Sequence, residues 1–308
     1  MTDEAEFEEL RETWKRLAGR VAGQSWPEAC LYVVATPIGN LGDLGLRAWQ
    51  ALLRCDAIAA EDTRSSRALL DAWGVRTPLM AAHRHNENQA AEAIVQRLAR
   101  GERVALISDA GAPAVSDPGA RIVRRVREAG YRVMPIPGPS AVIAALMASG
   151  ATTDEAPGYA FAGFAPAKAA ARRKWLQAWG RLDVPVVLFE SPHRLRASVA
   201  DLAAACGSER RLTFARELSK RFEQIHTVPL GQACAWLDED PHRGQGEFVL
   251  ILHPDETPAA DPEAVLAPEH VRLMEALLED LSVRDAARIG ARATGLPRET
   301  LYAWALRR

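Results

Sequence analysis

The sequence predicts an α/β protein with two domains. Apolar runs of strand length alternate with segments of helical periodicity, and Gly150–Gly158, rich in Thr, Gly, Asp and Pro, separates two such series. A chain of 308 residues is long enough for two domains with a sizeable core. We expect an N-terminal extension at 1–29, α/β domains at 30–150 and 151–255, and a helical region at 263–308.

The composition is that of an ordinary globular protein. Apolar residues make up 48% and charged residues 25%, and the formal net charge of -2 gives no overall basic field for nucleic acid. The acidic N-terminus lacks the apolar core of a signal peptide, and no long uncharged run predicts a membrane span. We therefore expect a cytoplasmic protein without a metal site, its four distant cysteines being reduced: Cys30, Cys55, Cys206 and Cys234.

The first domain is built around Val104–Gly119, VALISDAGAPAVSDPG. An apolar strand, Val104–Ile107, leads into a loop rich in Gly and Pro, and Arg121–Glu128 then has helical periodicity. Ligands of open α/β sheets bind beyond the carboxyl ends of the strands, where glycine lets the backbone approach them closely. The loop is either a tight turn or a ligand-binding loop, and its two aspartates favour the second interpretation.

The first strand is predicted at Leu31–Ala35 and runs into a loop with the spacing GxxGxxG over Gly39–Gly45. This spacing is neither the GxGxxG dinucleotide fingerprint nor the GxxxxGK[ST] phosphate loop. Nicotinamide enzymes and P-loop nucleotide hydrolases are therefore disfavoured, and the signature of the common Rossmann methyltransferases is also missing. The helix Leu46–Arg54 and the strand Ala57–Ala60 follow.

A third loop of this kind follows the strand predicted at Arg132–Ile136. Pro137–Ser140 enters the helix Ala141–Ser149, with prolines that fix the backbone and a serine suited to cap the helix. A capped turn would explain the loop by itself. Three such loops after three apolar strands instead indicate a shared binding site.

Two polar clusters belong to the same domain. Glu61–Arg64 lies between the end of the second strand and the start of the helix Ser65–Trp73. Its acidic side chains either cap the helix and interact favourably with its dipole or contact a ligand. His83–Asn88 follows a strand at Pro78–Met80. Histidines two residues apart are poorly placed as helical metal ligands, so we expect a substrate-facing loop there.

The second domain begins with Tyr159–Phe164, which alternates as a half-buried strand does. A basic helix follows, with Trp175 and Trp179 between its charges. Such a helix either contacts nucleic-acid phosphates or is a solvated face that packs its tryptophans inward. Its basic residues are Lys168, Arg172, Arg173 and Lys174.

Two further buried strands, Val184–Phe189 and Leu212–Ala215, end in the charged clusters Glu190–Arg194 and Arg216–Glu223, and Glu247–Leu252 closes the sheet. Charged groups at the ends of buried strands are costly unless they are paired or used. Arg216 and Glu217 have an ion pair as a simple explanation, whereas the cluster at Glu190 has none.

The last part of the chain is predicted as a Pro/Asp-rich linker at 254–262, followed by helices. Ser282 is suited to cap one of them, and Gly295–Pro297 interrupts the helical pattern. Two short helices about a turn are compatible with a helix-turn-helix, a dimer surface or an RNA surface.

Six motifs together resemble one family: TPIGNLGD, EDTR, the Ser108–Gly119 loop with SDPG, PGPSA, ESPHR and ARELSK, in this order. The family is that of the small-subunit ribosomal RNA 2′-O-methyltransferases that modify a cytidine of the decoding region, within the tetrapyrrole-methylase-like superfamily. The resemblance covers Leu31–Leu252, roughly three quarters of the chain. The chain departs from the family pattern at Ala112 and Ala114, where Thr and Gly are usual.

The resemblance implies the two-domain fold of the class III methyltransferases, with S-adenosylmethionine in the interdomain cleft. It also implies a homodimer, small-subunit ribosomal RNA or the small ribosomal subunit as partner, and methyl transfer to a ribose 2′-hydroxyl. The cofactor-binding residues carried over by motif are Pro37, Gly39, Asn40, Asp109, Ala110, Gly111, Pro113, Ser116, Pro137, Gly138 and Ser140.

A ribose hydroxyl is a poor nucleophile at neutral pH, so we expect a general base or a hydrogen-bond acceptor. Glu190 and Asp109 are the candidates, with His193 behind them. Alignment of the hydroxyl oxygen, the methyl carbon and the sulfur lowers the activation barrier further, by up to about 7–11 kcal/mol in favourable cases. Our candidates for RNA contact are Arg64, His85, Lys168, Arg172, Arg194, Arg216 and Lys220.

Two other functions are compatible with these motifs. A tetrapyrrole or precorrin C-methyltransferase would need an enclosed site with charges for several substrate carboxylates. A non-catalytic RNA-binding ribosome factor would retain the fold without binding the cofactor. The basic helix and the clusters ESPHR and ARELSK fit an RNA methyltransferase better.

Overall fold

The computed structural model describes residues 4–255 and 266–306. The chain divides into two compact units, Met1–Pro254 and Asp255–Arg308. The linker predicted at 254–262 lies, from residue 256 onward, outside the described residues. No helix within the described ranges is both long and apolar enough to span a bilayer.

The first sheet is fully parallel. Its strands are β1 (Cys30–Val34), β2 (Ala57–Ala60), β3 (Leu79–Ala81), β4 (Arg103–Ile107) and β5 (Arg132–Ile136). They lie in the order β3-β2-β4-β1-β5, so β1 has β4 on one side and β5 on the other. Because parallel strands end at the same edge, the loops after β1, β4 and β5 meet there. This topology brings the three predicted loops together.

Helices cover both faces of this sheet. They are α2 (Leu46–Arg54), α3 (Thr63–Ala72), α4 (Glu87–Ala99) and α5 (Ala120–Glu128), while α1 (Glu4–Ala22) precedes the sheet. One apolar layer includes Leu52 and Leu70 of α2 and α3, and the other includes Ile94 and Ile122 of α4 and α5. The strands are buried on both sides, which explains their continuous apolar sequences.

The second sheet is mixed. Its strands are β6 (Ala160–Phe164), β7 (Val186–Glu190), β8 (Arg211–Arg216), β9 (Gln224–Pro229) and β10 (Phe248–Leu252), in the order β6-β7-β10-β8-β9. Only β6 and β7 are parallel, since β10 runs antiparallel to β7 and β8. Packed with it are α7 (Ala169–Trp179), α8 (Pro192–Cys206) and α9 (Leu230–Asp238).

One helix joins the two sheets. The helix α6 (Ala141–Ser149) follows the last strand of the first sheet, yet Val142 and Ala145 belong to an apolar cluster with Val187 and Val249 of the second. Its sequence, AVIAALMAS, is apolar on every side, but only one side packs on the second sheet, and Ile143 and Met147 are exposed. The two sheets therefore form one body.

The second unit consists of three helices, α10 (Pro268–Asp280), α11 (Val283–Thr294) and α12 (Arg298–Leu306). The Ser282 hydroxyl accepts a hydrogen bond from the backbone N–H of Asp285, as predicted for a helix cap. Gly295 ends α11 in the left-handed conformation. A Cβ on Gly290 would lie 2.6 Å from Met274 Sδ, so this glycine allows α10 and α11 to pack closely.

Candidate functional site

A cavity of about 340 Å³ lies between the carboxyl edge of the first sheet and the second sheet. This volume falls in the range of small-molecule sites, about 300–1,000 Å³. The first sheet contributes residues from the loops after β1, β4 and β5, and the second contributes residues from β6, β7, β8 and β10. Those used below are Ala110, Gly111, Asp117, Ser140, Phe164 and Glu190.

The loops after β1 and β4 are joined by a short antiparallel bridge. The Thr36 N–H donates to the Gly111 carbonyl at 2.9 Å, and the Gly111 N–H donates to the Thr36 carbonyl at 3.0 Å. The Thr36 hydroxyl also donates to the Ser108 carbonyl at 3.0 Å. Gly111 has a φ of +78°, which glycine adopts without strain. The floor of the cavity is therefore fixed by the protein itself.

The loop after β5 passes close to the end of β1. A Cβ on Gly138 would lie 3.0 Å from the Ala35 Cβ and 3.2 Å from the Ala35 carbonyl oxygen. Glycine is thus needed here for backbone packing. Ser140 precedes α6 at the capping position, but among the described residues its hydroxyl caps none of the helix N–H groups. The capping bond predicted for Ser140 is wrong, and the residue instead lines the cavity.

The loop after β4 holds two residues in the left-handed conformation, Ala114 at φ 67° and Ser116 at φ 66°. This conformation costs an L-residue about 1–2 kcal/mol, and such strain clusters at functional sites. Ala114 occupies the position where the resembling family usually has glycine. Across the cavity, a Cβ on Gly163 of β6 would lie 3.4 Å from the Ser116 hydroxyl oxygen, so the loop closely approaches the second sheet.

The loop after β8 closes another side of the cavity. The Ser219 hydroxyl hydrogen-bonds Asp43 in the loop after β1. A Cβ on Gly39, whose φ is +143°, would lie 2.5 Å from Lys220 Cγ. Lys220 Nζ binds Glu217 and Glu247, each at 3.0 Å. The lysine predicted to contact RNA is therefore held across the β1 loop by two carboxylates.

Glu190 ends β7 and its side chain is fully buried. One carboxylate oxygen, Oε1, accepts from the Ser191 N–H at 2.7 Å and pairs with Arg194 Nη2 at 2.7 Å. The other, Oε2, accepts from the Ser198 hydroxyl at 2.5 Å. Arg194 also donates to the Ala165 carbonyl at 3.1 Å. These contacts are those of a residue that positions the start of α8, and Arg194 is part of the same network.

The acidic residues of the first sheet have different environments. The exposed Asp109 accepts from the Asp62 N–H at 3.0 Å and so holds the loop after β2. Burial raises the pKa of Asp117, a hydrogen bond from Ser108 opposes this, and the charge of Asp109 raises it further. Burial likewise raises the pKa of Glu61, and the charges of Asp109 and Asp117 add to the effect. Asp117 is the carboxylate of this group that lines the cavity.

Arg172 is not placed to contact a phosphate. Its side chain is 7% exposed and forms an ion pair with Asp201, with Nη2 and Oδ2 2.7 Å apart. It also donates to the Ala167 carbonyl at 3.3 Å. The assignment of Arg172 to RNA binding is therefore corrected: the residue joins α7 to α8. A helix pattern read from sequence alone does not distinguish such a buried arginine from its exposed neighbours.

The other residues predicted to contact RNA include one that binds groups of the protein itself and several that are exposed to solvent. Arg216 donates to the Gln245 carbonyl at 2.5 Å and to the Phe222 carbonyl at 3.1 Å, so it too has partners within the protein. Exposed on the surface are Arg64, His85, Lys168 and His193. Of the predicted cofactor residues, Ala110, Gly111 and Ser140 line the cavity, while Pro37, Gly39, Asn40, Pro113, Ser116, Pro137 and Gly138 belong to the supporting loops.

Most residues of the lining were not predicted, and two of them, Asp117 and Phe164, matter for the chemistry of the site. Asp117 lies in the quoted SDPG motif, but its neighbour Asp109 was chosen because it directly follows the strand. Phe164 is 56% exposed at the end of β6 and packs its ring 5.3 Å from that of Phe189. Gly163, at φ +70°, shifts the β6–β7 register just before it. A glycine within an alternating strand is a sequence signal for such a bulge.

The comparisons with known proteins agree with this geometry. The family model described as "Tetrapyrrole (Corrin/Porphyrin) Methylases" matches residues 30–234. A Pseudomonas aeruginosa protein named ribosomal RNA small subunit methyltransferase I is 44% identical over 278 residues, which cover 90% of this chain and 97% of that protein. The chain belongs to the ribosomal RNA small subunit methyltransferase I family. The family resemblance predicted from the motifs is thus confirmed.

Other matches extend this family assignment. The Haemophilus influenzae and Neisseria meningitidis proteins of the same name are 42% and 44% identical, each over 90% of this chain and 96% and 92% of their own lengths. A second model, the RsmI C-terminal HTH domain, matches residues 264–308. The family model begins at residue 30, so α1 lies outside it.

Solved structures share the fold of the family. A cobalt precorrin-4 methyltransferase has a TM-score of 0.55 at 15% identity, covering 72% of this chain and 94% of its own. A diphthine synthase has a TM-score of 0.57 at 16% identity, covering 73% and 90%. The predicted two-domain tetrapyrrole-methylase-like fold is therefore confirmed.

Proposed function

We propose that this protein transfers the methyl group of S-adenosylmethionine to the ribose 2′-hydroxyl of a cytidine in the decoding region of small-subunit ribosomal RNA. The observation that carries the proposal is the cavity between the sheets, where the motif loops of the first sheet face the end of β7. The names of the relatives support ribosomal RNA as the substrate. The cytidine and the 2′-oxygen come from the resemblance of the motifs.

The residues of the cavity fit a sulfonium cofactor. The charged residues that line the cavity within the described ranges are Asp117, Glu190 and Glu247. Glu190 and Glu247 are paired with Arg194 and Lys220, so the carboxylate of Asp117 is the one that would attract the cationic sulfur.

The Gly111 N–H is bonded to the Thr36 carbonyl, so the loop amides that would hold the polar end of the cofactor are those of its neighbours Ala110 and Ala112, which also line the cavity. When bound, S-adenosylmethionine supplies a methyl group on a positively charged sulfur, which leaves as a neutral thioether.

Asp117 is our candidate for the group that accepts the hydroxyl proton. Its carboxylate lines the cavity, and burial raises its pKa toward the range in which a general base is effective. The proton that the 2′-hydroxyl loses as its oxygen bonds to the methyl carbon would pass to this carboxylate. Asp109 and His193 remain predictions as catalytic residues; Asp109 is bound to the loop after β2, and His193 is exposed on α8.

Glu190 has a different role in this proposal. Its two oxygens are already occupied by Ser191, Arg194 and Ser198. We therefore assign Glu190 to positioning the wall of the cavity, with Arg194 as its fixed counter-ion. Methyl transfer then depends on Glu190 through the geometry of the cavity and not through proton transfer.

The RNA would be held by side chains outside the cavity. Arg64 and Lys168 are exposed cations, and His85 lies in the polar loop after β3. Phe164 lines the cavity but is 56% exposed at the end of β6, so its ring is where an unstacked target base would pack at the cavity. Phosphate contacts of this kind make binding depend strongly on salt concentration.

The tetrapyrrole C-methyltransferase alternative is less consistent with the lining. A substrate with several carboxylates would require lysine or arginine in the cavity, whereas the charged residues that the structure describes there are acidic. A non-catalytic RNA-binding factor remains distinguishable by one property. Such a factor would not bind S-adenosylmethionine.

The deciding experiment uses small ribosomal subunits from cells that lack this protein. They are incubated with the protein and methyl-labelled S-adenosylmethionine, and the digested RNA is analysed for 2′-O-methylated nucleosides. We expect label in 2′-O-methylcytidine at one position of the decoding region. Bound cofactor without labelled RNA would favour a small-molecule substrate, and failure to bind cofactor would favour the RNA-binding factor. Naked RNA as a parallel substrate shows whether the assembled subunit is required.

We also propose that the protein acts as a homodimer in the cytoplasm, as the resemblance implies. On α6, Ile143 and Met147 are exposed, and Met147 is 83% accessible. An exposed apolar patch of this kind is typical of a protein interface. Sedimentation equilibrium of the wild-type protein measures the mass directly, and a monomer at micromolar concentration would contradict the proposal.

A further inference from the structure

The loop between β8 and β9, residues 217–223, carries an exposed aromatic side chain. Phe222 is 64% exposed, and among the large apolar side chains that the structure describes only Met147 is more accessible. The guanidinium carbon of Arg221 lies 5.5 Å from the centre of the Phe222 ring. Arg221 is itself exposed, and within the described part of the chain it forms no ion pair with a carboxylate. The loop thus presents an aromatic face and an unneutralised cation side by side.

The loop is held in one conformation by hydrogen bonds. The Ser219 N–H donates to the Glu223 carboxylate at 2.6 Å, and Arg216 donates to the Phe222 carbonyl at 3.1 Å. Glu217 and Ser219 adopt the left-handed conformation, at φ 49° and 66°, which is unfavourable for residues other than glycine. Such strain clusters at functional sites. A loop that is ordered in advance also loses less conformational entropy when a ligand contacts it.

The loop borders the cavity between the two sheets. Leu218 lines the cavity, and the Ser219 hydroxyl hydrogen-bonds Asp43 in the loop after β1. Phe222 follows three residues later, outside the set of residues that line the cavity. A ligand group on the Phe222 ring would therefore lie beside the cavity, next to the cofactor and the methylated nucleotide.

A second exposed ring lies at the same edge of the second sheet. Phe248 of β10 pairs with Glu190 at the end of β7 and with Arg216 at the end of β8, and β6 runs parallel to β7. Phe164, at the end of β6, therefore shares this edge with the loop after β8. Two strands lie between β6 and β8, so the ends of β6 and β8 are about 14 Å apart, which is three strand spacings of about 4.8 Å. Because stacked bases rise only about 3.4 Å each, RNA that contacts both rings is unstacked between them.

The chemistry of the loop fits an unpaired nucleotide. Unpaired RNA bases stack on aromatic side chains, and a phosphate supplies the counter-ion that Arg221 lacks among the described residues. An apolar protein surface on Phe222 would instead bury this cation without a partner, which is costly.

We propose that Phe222 and Arg221 bind an unpaired nucleotide that flanks the target cytidine in the ribosomal RNA, an inference that rests on the proposed function. The base of this nucleotide stacks on the Phe222 ring, and its phosphate contacts the Arg221 guanidinium. Phe164 and Phe222 then hold different nucleotides, the target at the cavity and its neighbour beside it.

Equilibrium binding of the full-length protein to small ribosomal subunits, taken from cells that lack it, tests this contact apart from methyl transfer. We expect Phe222→Ala to raise the dissociation constant about tenfold, equivalent to 1.4 kcal/mol and within the range of base–aromatic stacking. Phe222→Trp keeps an aromatic face and should stay within about threefold of the wild type. Phe7→Ala removes a phenylalanine of similar exposure, 55%, from α1 and is the matched control without effect. All these variants should bind S-adenosylmethionine as the wild type does.

Replacing Arg221 gives a second test through charge. Arg221→Gln removes one phosphate contact, so the slope of log K against log salt concentration should become shallower by about 0.7. Phe222→Ala, which removes no charge, should leave this slope unchanged. An unchanged slope for Arg221→Gln would contradict the phosphate contact.

Two further results would overturn the inference. One is a dissociation constant of Phe222→Ala equal to that of the wild type. The other is weaker binding together with a lower mass in sedimentation equilibrium, which would assign Phe222 to a contact between copies of the chain. Failure of the proposed function gives a different result: the wild-type protein binds the subunits through Phe222 but transfers no methyl group to their RNA.

Discussion

Replacing Glu190 by glutamine separates a positioning role from a catalytic one. Glutamine preserves the size of the side chain but removes the charge that Arg194 pairs with at 2.7 Å. The Ser191 N–H still has a carbonyl oxygen as acceptor, and the Ser198 hydroxyl is able to reverse its bond. The variant therefore loses the charge-assisted bond to Arg194 and little else.

The size of the effect follows from the burial of this bond. A hydrogen bond to a charged group contributes about 1.5–3 kcal/mol, and the Glu190 side chain is fully buried. For a unit of this size, each kcal/mol changes the melting temperature by about 2–4 °C. We expect Glu190→Gln to lower the melting temperature by roughly 3–12 °C. Ser198→Ala, which leaves the carboxylate with its other two partners, should cost about 1.5–3 kcal/mol on the same scale.

Thermal unfolding and methyl transfer are measured on the same preparations, the latter well below the melting temperature. We expect the variant to retain kcat within about tenfold of the wild type, because loss of a general base costs about 10²–10⁴-fold. A melting temperature equal to that of the wild type, together with a hundredfold or larger loss of kcat, would refute the positioning role. It would return Glu190 to the catalytic residues.

Four further substitutions test other parts of the protein. Asp117→Asn should reduce kcat about 100-fold or more. Burial raises the pKa of this carboxyl, so its ionised form destabilises the fold. Above the raised pKa the variant should be more stable than the wild type, and below the ordinary aspartate pKa of about 3.9 the two should be equally stable. Urea unfolding across pH measures this difference. Arg172→Ala should lower the free energy of unfolding by about 3 kcal/mol, since it leaves Asp201 buried, without changing the salt dependence of RNA binding. Ala114→Gly should raise that free energy by about 0.5–1 kcal/mol because its φ is +67°, whereas Ala112→Gly should lower it.

The first sheet was readable from the sequence because its strands are short, apolar and followed by loops with Gly and Pro. The predicted elements Leu46–Arg54, Ala57–Ala60, Arg132–Ile136 and Ala141–Ser149 coincide with those of the structure. The strand β9, Gln224–Pro229, was not predicted. It contains Gln, His and Thr at the edge of the sheet, where one side is less buried and the apolar alternation is weak.

The candidate site was predictable as a set of loops but not as individual roles. Gly111 and Ser140, chosen by motif position, line the cavity, and their contact with a cofactor stays a prediction. Motif position did not distinguish Asp109, whose carboxylate holds the loop after β2, from Asp117, which faces the cavity. Both are aspartates in one loop, and only the path of the backbone through two left-handed residues decides which of them is half-buried.

The sequence also does not show which charged side chains are paired within the protein. This pairing explains why a net charge of -2 is compatible with an RNA substrate. Arg172, Arg194 and Lys220 were chosen as RNA contacts from their type and position, yet each is paired with a carboxylate of the protein. Such pairs cancel in the net charge and contribute little to the external field. In the proposed function, the field that RNA would meet comes instead from exposed cations such as Arg64 and Lys168, which a sum over the whole chain does not separate. A net charge near zero therefore says little about this surface, because it sums exposed cations together with side chains that are already paired.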